Sequence, residues 1–206
     1  MGKRKFASVV LKELPNLVYL DGYFMETPIS HVACGFAYER PPSGTYIWKF
    51  VFPLYYRGNK LGLTFSDRLP PPQGYISGSR WNDTELATEF IRRIEPRREE
   101  VRDLGTLDGF KRYLERSGTL RSPFARRGYA LTLIMLGETE KAMHHLEILS
   151  GVTGLERGDP NFHSENQDVL RCLSNSLESA QTLLLQWEAE TRQRLGLTGT
   201  YDAAPA

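Results

Sequence analysis

The stretch Ser122 to Leu149, SPFARRGYALTLIMLGETEKAMHHLEIL, constrains the fold more than any other part of this chain. Ser122-Pro123 sets an N-cap residue before a proline whose fixed φ and missing N–H suit the first helical position. Tyr129 to Leu136 is then apolar almost all round, as a helix covered on every side requires. Gly137 stops it, an amphipathic helix follows, and Gly151 stops that one in turn. The stretch is a packing element with no catalytic pattern. It predicts a helical hairpin at the centre of the C-terminal half.

The 206 residues suit one domain or two small subdomains, expected as residues 1–80 and 81–206 within one compact unit. A hydrophobic share of 40% beside 25% charged residues argues for a packed core and against disorder. No apolar run approaches the roughly 18–20 residues that span a bilayer. The basic start Met1-Gly2-Lys3-Arg4-Lys5 leads into an apolar patch that Lys12, Glu13 and Pro15 end too soon for a signal peptide. Cys34 and Cys172 lie far apart inside apolar patterns and read as reduced core thiols. These features predict a cytoplasmic protein with no membrane contact.

The N-terminal half reads as a helix on an antiparallel sheet. Phe6, Val9, Val10 and Leu14 recur at helical spacing before Pro15. Leu17–Met25 is split by Asp21-Gly22, a tight-turn pair. In His31–Glu39, Val32, Cys34, Phe36 and Tyr38 alternate with His31, Ala33, Gly35 and Ala37, giving a large-residue face and a small-residue face. Thr45–Tyr55 is apolar on both faces, which suits a central strand ending at Pro53, with Trp48, Phe50 and Phe52 expected to be mostly buried. Leu61–Ser66 completes an expected meander of about four strands, and Pro70-Pro71-Pro72 leads the chain out of it.

From Asn82 the period is helical. Asn82-Asp-Thr-Glu85 forms a capping box ahead of Leu86, Phe90 and Ile94. Further helices are expected over Arg97–Leu104 and Thr106–Arg116. Ser164-Glu-Asn-Gln167 is a second capping box, expected to open one long helix to Gly196. Its Leu170, Leu173, Leu177, Ala180, Leu184 and Trp187 make a heptad-like seam, better suited to docking on the hairpin than to a coiled coil of under three heptads. The fold class is therefore α+β. There is no βαβ alternation and no glycine-rich phosphate loop, so nucleotide-binding α/β folds are excluded and no cofactor is expected.

Ala130, Leu133, Gly137, Ala142 and Leu146 sit where this hairpin resembles a tetratricopeptide-type repeat, and Gly137-Glu-Thr-Glu-Lys-Ala142 is similar to its turn and second-helix start. The resemblance covers one repeat unit and implies a protein-binding scaffold. No second copy follows at a period of about 34 residues, and arrays need about three, so the hairpin is expected to pack on its own chain. The N-terminal pattern GFAYERPPSGTYIWKFVFPLY with LGLTFSDRL is similar to bacterial proteins without assigned activity, which implies a bacterial origin and no mechanism.

Catalytic constellations are missing. His31 and Cys34 would point to opposite faces of a strand, and His144 and His145 are neighbours on a helix. His163-Ser-Glu165 lacks the Pro-Cys-x-x-Cys partner of a zinc deaminase, so no metal is expected. Gly74-Tyr-Ile-Ser-Gly78 has the wrong spacing for a nucleophile elbow.

Charge is more informative. Residues 92–127 carry eleven Lys and Arg against six Asp and Glu, whereas residues 128–206 carry five against eleven. Arginine's planar fork suits carboxylate and phosphate. Arg93, Arg97, Arg98, Arg102, Arg126 and Arg127 are the expected partner-binding residues, with Arg97, Arg98 and Arg102 exposed on consecutive turns. Only Phe110, Tyr113 and Phe124 interleave with the basic residues, too few for a base-stacking surface. The reading is a non-enzymatic adaptor, immunity-type or regulatory subunit that binds an acidic protein surface. A nucleic-acid accessory factor using this basic stretch is the alternative, and an enzyme whose site forms only in three dimensions is a third.

Overall fold

A computed structural model describes residues 2–57, 61–78, 81–116, 118–153 and 160–197. It has the expected α+β architecture: a helix, an antiparallel sheet and a helical half. Helix α1 (Gly2–Glu13) precedes strands β1 (Leu17–Leu20), β2 (Tyr23–Glu26), β3 (Val32–Glu39), β4 (Gly44–Pro53), β5 (Phe65–Arg68) and β6 (Tyr75–Ser77). Asp21 and Gly22 both take positive φ, 45° and 98°, as a two-residue hairpin requires, and this turn sets Leu20 opposite Tyr23.

The sheet runs β1-β2-β3-β4-β5, all antiparallel, and β6 pairs with β4 beyond the end of β5. Among the described residues six strands thus stand where about four were expected. The fourth expected strand, Leu61–Ser66, is displaced: pairing begins only at Phe65, opposite Val51, and Leu61 is buried in the apolar cluster instead. Strand β6 returns through the proline-rich segment, where the Gly74 N–H bonds the Pro70 carbonyl and the Ile47 N–H bonds the Gly74 carbonyl.

Helices α2 (Asp83–Ile94) and α3 (Arg98–Leu104) flank a 3-10 turn, Glu95–Arg97. With α1 they cover one face of the sheet, burying Cys34, Phe36 and Ile47. Phe6 of α1 and Phe90 of α2 meet Phe24 of β2 at ring-centre distances of 5.8 and 5.3 Å. Burying such a ring contributes about 1.5–3 kcal/mol each, so the three hold helix pair to sheet. The Asn82 capping box is present: its side chain accepts from the N–H groups of Thr84 and Glu85, and Glu85 accepts in return from the Asn82 N–H. The opposite face buries Met25, Ala33, Ala37, Phe50 and Phe52 beneath Leu54, Leu61 and Leu197. Phe50 and Phe52 are buried and Trp48, packed against the same cluster, is mostly so, as expected.

After α4 (Leu107–Arg116) come α5 (Pro123–Met135), α6 (Thr139–Ser150), α7 (Phe162–Asn175) and α8 (Leu177–Leu195). The expected single final helix is two. Ser176, at φ −167° and ψ 156°, leaves the helical region and caps α8 by accepting from the Ser179 N–H. The expected capping Ser164 lies inside the first turn of α7, with Asn161 at the cap position. Ser122 has the extended backbone of an N-cap, without a side-chain cap bond. The C-cap Gly151 keeps a right-handed φ of −89°.

Helices α5 to α8 close into a ring, each packed on the next and α8 back on α5. Ala130, Ala142, Leu146, Leu173, Ala180, Leu184 and Trp187 fill its core, so the heptad-like seam docks internally. The same core takes in Val32, Val51, Tyr55 and Phe65 from the sheet side. Gly128 makes that junction possible, because a Cβ there would lie 2.8 Å from the Phe65 ring.

Candidate partner-binding surface

The six arginines singled out from the sequence separate into two groups once their partners are known. Arg98 and Arg102 converge on Glu26, a carboxylate with 3% of its side chain exposed at the end of β2. Arg98 donates through Nε at 2.6 Å and Nη2 at 2.8 Å, and Arg102 adds Nε at 2.9 Å. Arg98 is itself 12% exposed, contrary to the expected surface position. A buried carboxylate without such donors is strongly disfavoured, so the two arginines are what permits Glu26 in the core. Arg127 is wholly buried on α5, paired with Glu165 of α7 and set over the rings of Tyr56 and Phe162 at 4.8 and 5.3 Å. Arg57 extends this pair, reaching Glu165 at 3.8 Å and Glu190 of α8 at 3.1 Å.

Arg93 is also turned inward. Its Nε donates to Glu89 at 2.7 Å, and its Nη1 donates to the carbonyls of Pro72 and Tyr75, which ties α2 to the chain around β6. Arg126 is half-buried and its Nη1 lies 3.3 Å from Nδ1 of His145. Burial, and then the positive charge of Arg126, lowers the His145 pKa, so the neutral ring accepts from the guanidinium. Arg97 stays at the surface, 40% exposed, with one bond from Nη1 to Glu100 at 3.3 Å.

Arg97 lines a surface cleft of about 320 Å³ with Pro72, Gln73, Arg92, Arg93 and Pro96. Arg92 is 68% exposed and spends Nε and Nη2 on Glu89, at 2.8 and 2.7 Å. The hydrogen bonds from Arg92, with help from Arg93 and against partial burial, pull Glu89 down to about 2. One carboxylate therefore faces two guanidinium groups and the cleft keeps a positive balance. Among the described residues nothing accepts from Nη1 of Arg92 or from Nε and Nη2 of Arg97, so both retain donors at the surface.

Burial, with the charge of Glu26 adding, pushes the Cys34 thiol up to about 12, far from the thiolate that attack requires. His31 is engaged by Glu188 of α8, Nδ1 to carboxylate at 2.8 Å, and Glu188 also accepts from Arg192 at 2.9 Å. Among the described residues no group of three or more His, Cys, Asp or Glu could hold a metal ion, and no helix is long and apolar enough to cross a membrane.

Sequence reasoning missed the carboxylates that claim the arginines. A signal was present, since Glu165 falls on the apolar stripe of its own helix with Phe162, Val169 and Leu173. Against models of protein families, characterised proteins and solved structures, the chain has no match.

Proposed function

We propose that this chain works without catalysis, as an adaptor, immunity-type or regulatory subunit that binds an acidic segment of another protein in the Arg92–Arg97 cleft. One observation carries the reading: Arg92 and Arg97 keep guanidinium donors at a cleft walled by Pro72 and Pro96. Exposed arginines of this kind add little to folding but steer and register a partner of opposite charge. Arg98 and Arg127 support the fold that holds the cleft and make no contact themselves.

The test is the double reversal Arg92→Glu with Arg97→Glu, which spares the clamp on Glu26. It should leave the circular dichroism spectrum unchanged and lower recovery of the native partner from source cells by about tenfold or more, equivalent to about 1.4 kcal/mol. Recovery equal to that of the native chain would sink the cleft. Salt-sensitive binding of generic duplex DNA, lost in the same variant, would transfer the assignment to a nucleic-acid factor.

A further inference from the structure

A second surface stands on the other side of the sheet, on the face away from α1 and α2. Tyr46 and Trp48 of β4, Arg68 of β5 and Tyr75 of β6 share that face, because Tyr46 is opposite Tyr75 and Trp48 opposite Arg68 in the strand register. The Tyr46 and Tyr75 rings lie 4.8 Å apart. The Arg68 guanidinium lies over Tyr46 at 3.9 Å and over Trp48 at 4.8 Å. Two rings thus fix its plane. The three aromatic side chains are half-buried and Arg68 is exposed.

Arg68 differs from Arg98, Arg102 and Arg127 in what it bonds. No hydrogen bond or ion pair joins its guanidinium to any described residue, so a cation held in place by stacking keeps its N–H donors unspent. The face continues toward a groove of about 570 Å³ whose apolar walls are Leu20, Tyr23, Leu61, Leu63 and Leu195. Tyr23 and Trp48 flank Ala37 of β3 in the strand register, which sets them two strand spacings or about 10 Å apart.

We infer that this face is a docking surface for an extended protein segment carrying a carboxylate and, about three residues away, a bulky apolar side chain. The carboxylate takes the fork of Arg68 and the apolar side chain enters the groove. Charge complementarity sets the first contact, since a stacked guanidinium loses little freedom when a carboxylate binds it bidentately. The composition suits a binding centre, where Trp, Tyr and Arg concentrate affinity. A phosphodiester strand fits worse. It needs several cations along its path, whereas this face offers Arg68 beside Glu39, which lies opposite Tyr46, and the groove sets Asp21 against Arg194, itself paired with Glu190. The inference shares the idea of a protein partner with the preceding reading but does not use the Arg92–Arg97 cleft.

The test uses the full chain and a synthetic peptide with a leucine three positions before a glutamate, followed by NMR through the Arg68 Nε–H and Trp48 indole signals. Saturable shifts of both signals are expected. Replacing the peptide's glutamate by glutamine, or Arg68→Gln in the protein, should weaken binding about tenfold or more. Arg68→Lys, which keeps charge but loses the stacked fork, should bind between the two. The Arg92→Glu, Arg97→Glu protein should bind the peptide as the native chain does, which separates failure of this surface from failure of the cleft. Absence of saturable binding, an equally good glutamine peptide, or binding indifferent to Arg68→Gln would each overturn the inference. Tighter binding of a uridine decamer than of the peptide would overturn it as well.

Discussion

Arg127 and Glu165 form an ion pair inside the helical ring, joining α5 to α7 with the arginine side chain wholly out of contact with water. Removing one partner strands the other charge in an apolar site, which typically costs about 3–5 kcal/mol. Glu165→Ala is therefore expected to lower unfolding free energy by that amount in urea titration. Arg127→Met combined with Glu165→Met should cost less than Glu165→Ala alone, because no buried charge remains unpaired.

Arg98 and Arg97 are sequence neighbours with opposite expected sensitivities. Arg98→Ala leaves the buried Glu26 with Arg102 as its remaining arginine and should cost about 3–5 kcal/mol. Arg97→Ala removes a surface pair and should stay within about 0.5 kcal/mol. Denaturant midpoints of the two variants decide the matter, and equal values would contradict this placement.

Stability should fall toward acid in two stages. The His145 pKa is lowered in the folded chain from its ordinary 6.5, so the unfolded chain binds the proton more readily and stability declines as pH drops below about that value. Glu89 is depressed from 4.5 to about 2, so its contribution is complete above 4.5 and disappears as pH falls toward 2. Melting temperature against pH should show both declines. Glu89→Gln should make the second shallower and leave the first, with the lowered carboxyls of Glu100 and Glu138 supplying the remainder.

Cysteine alkylation gives an independent check on the core. Cys34 is buried with its thiol pushed up to about 12, whereas Cys172 is half-buried. Iodoacetamide at pH 8 should label Cys172 in the native protein and reach Cys34 only after unfolding, as peptide mass spectrometry would show. Early labelling of Cys34 would mean that β3 and α3 part readily.

Local rules in the sequence carried most of the architecture. The alternation of β3, the Asp21-Gly22 turn, the Asn82 box and the Ser122-Pro123 start each concern side chains and backbone within a few residues of one another. Strand β6 escaped because three residues are too few to display an alternation. The break at Ser176 escaped because apolar residues keep helical spacing across it, so only the backbone angles reveal the stop. The burial of Arg98 and Arg127 escaped for a different reason. Glu26 is 72 positions from Arg98, and Glu165 is 38 from Arg127, so nothing local tells a paired guanidinium from a solvated one. Arg68 was passed over because its rings come from another strand.

The return of α8 onto α5 has a consequence for how this protein can be elaborated. A repeat of helical hairpins grows by leaving its last pair uncovered for the next to stack upon. Here α5 is packed by α4 and α6 and is covered by α8 as well. Among the described residues α5 to α8 thus close on themselves rather than stacking in a row. Duplicating the α5–α6 hairpin would force α8 off its seat, and new reach would have to come from the connecting loops or the sheet.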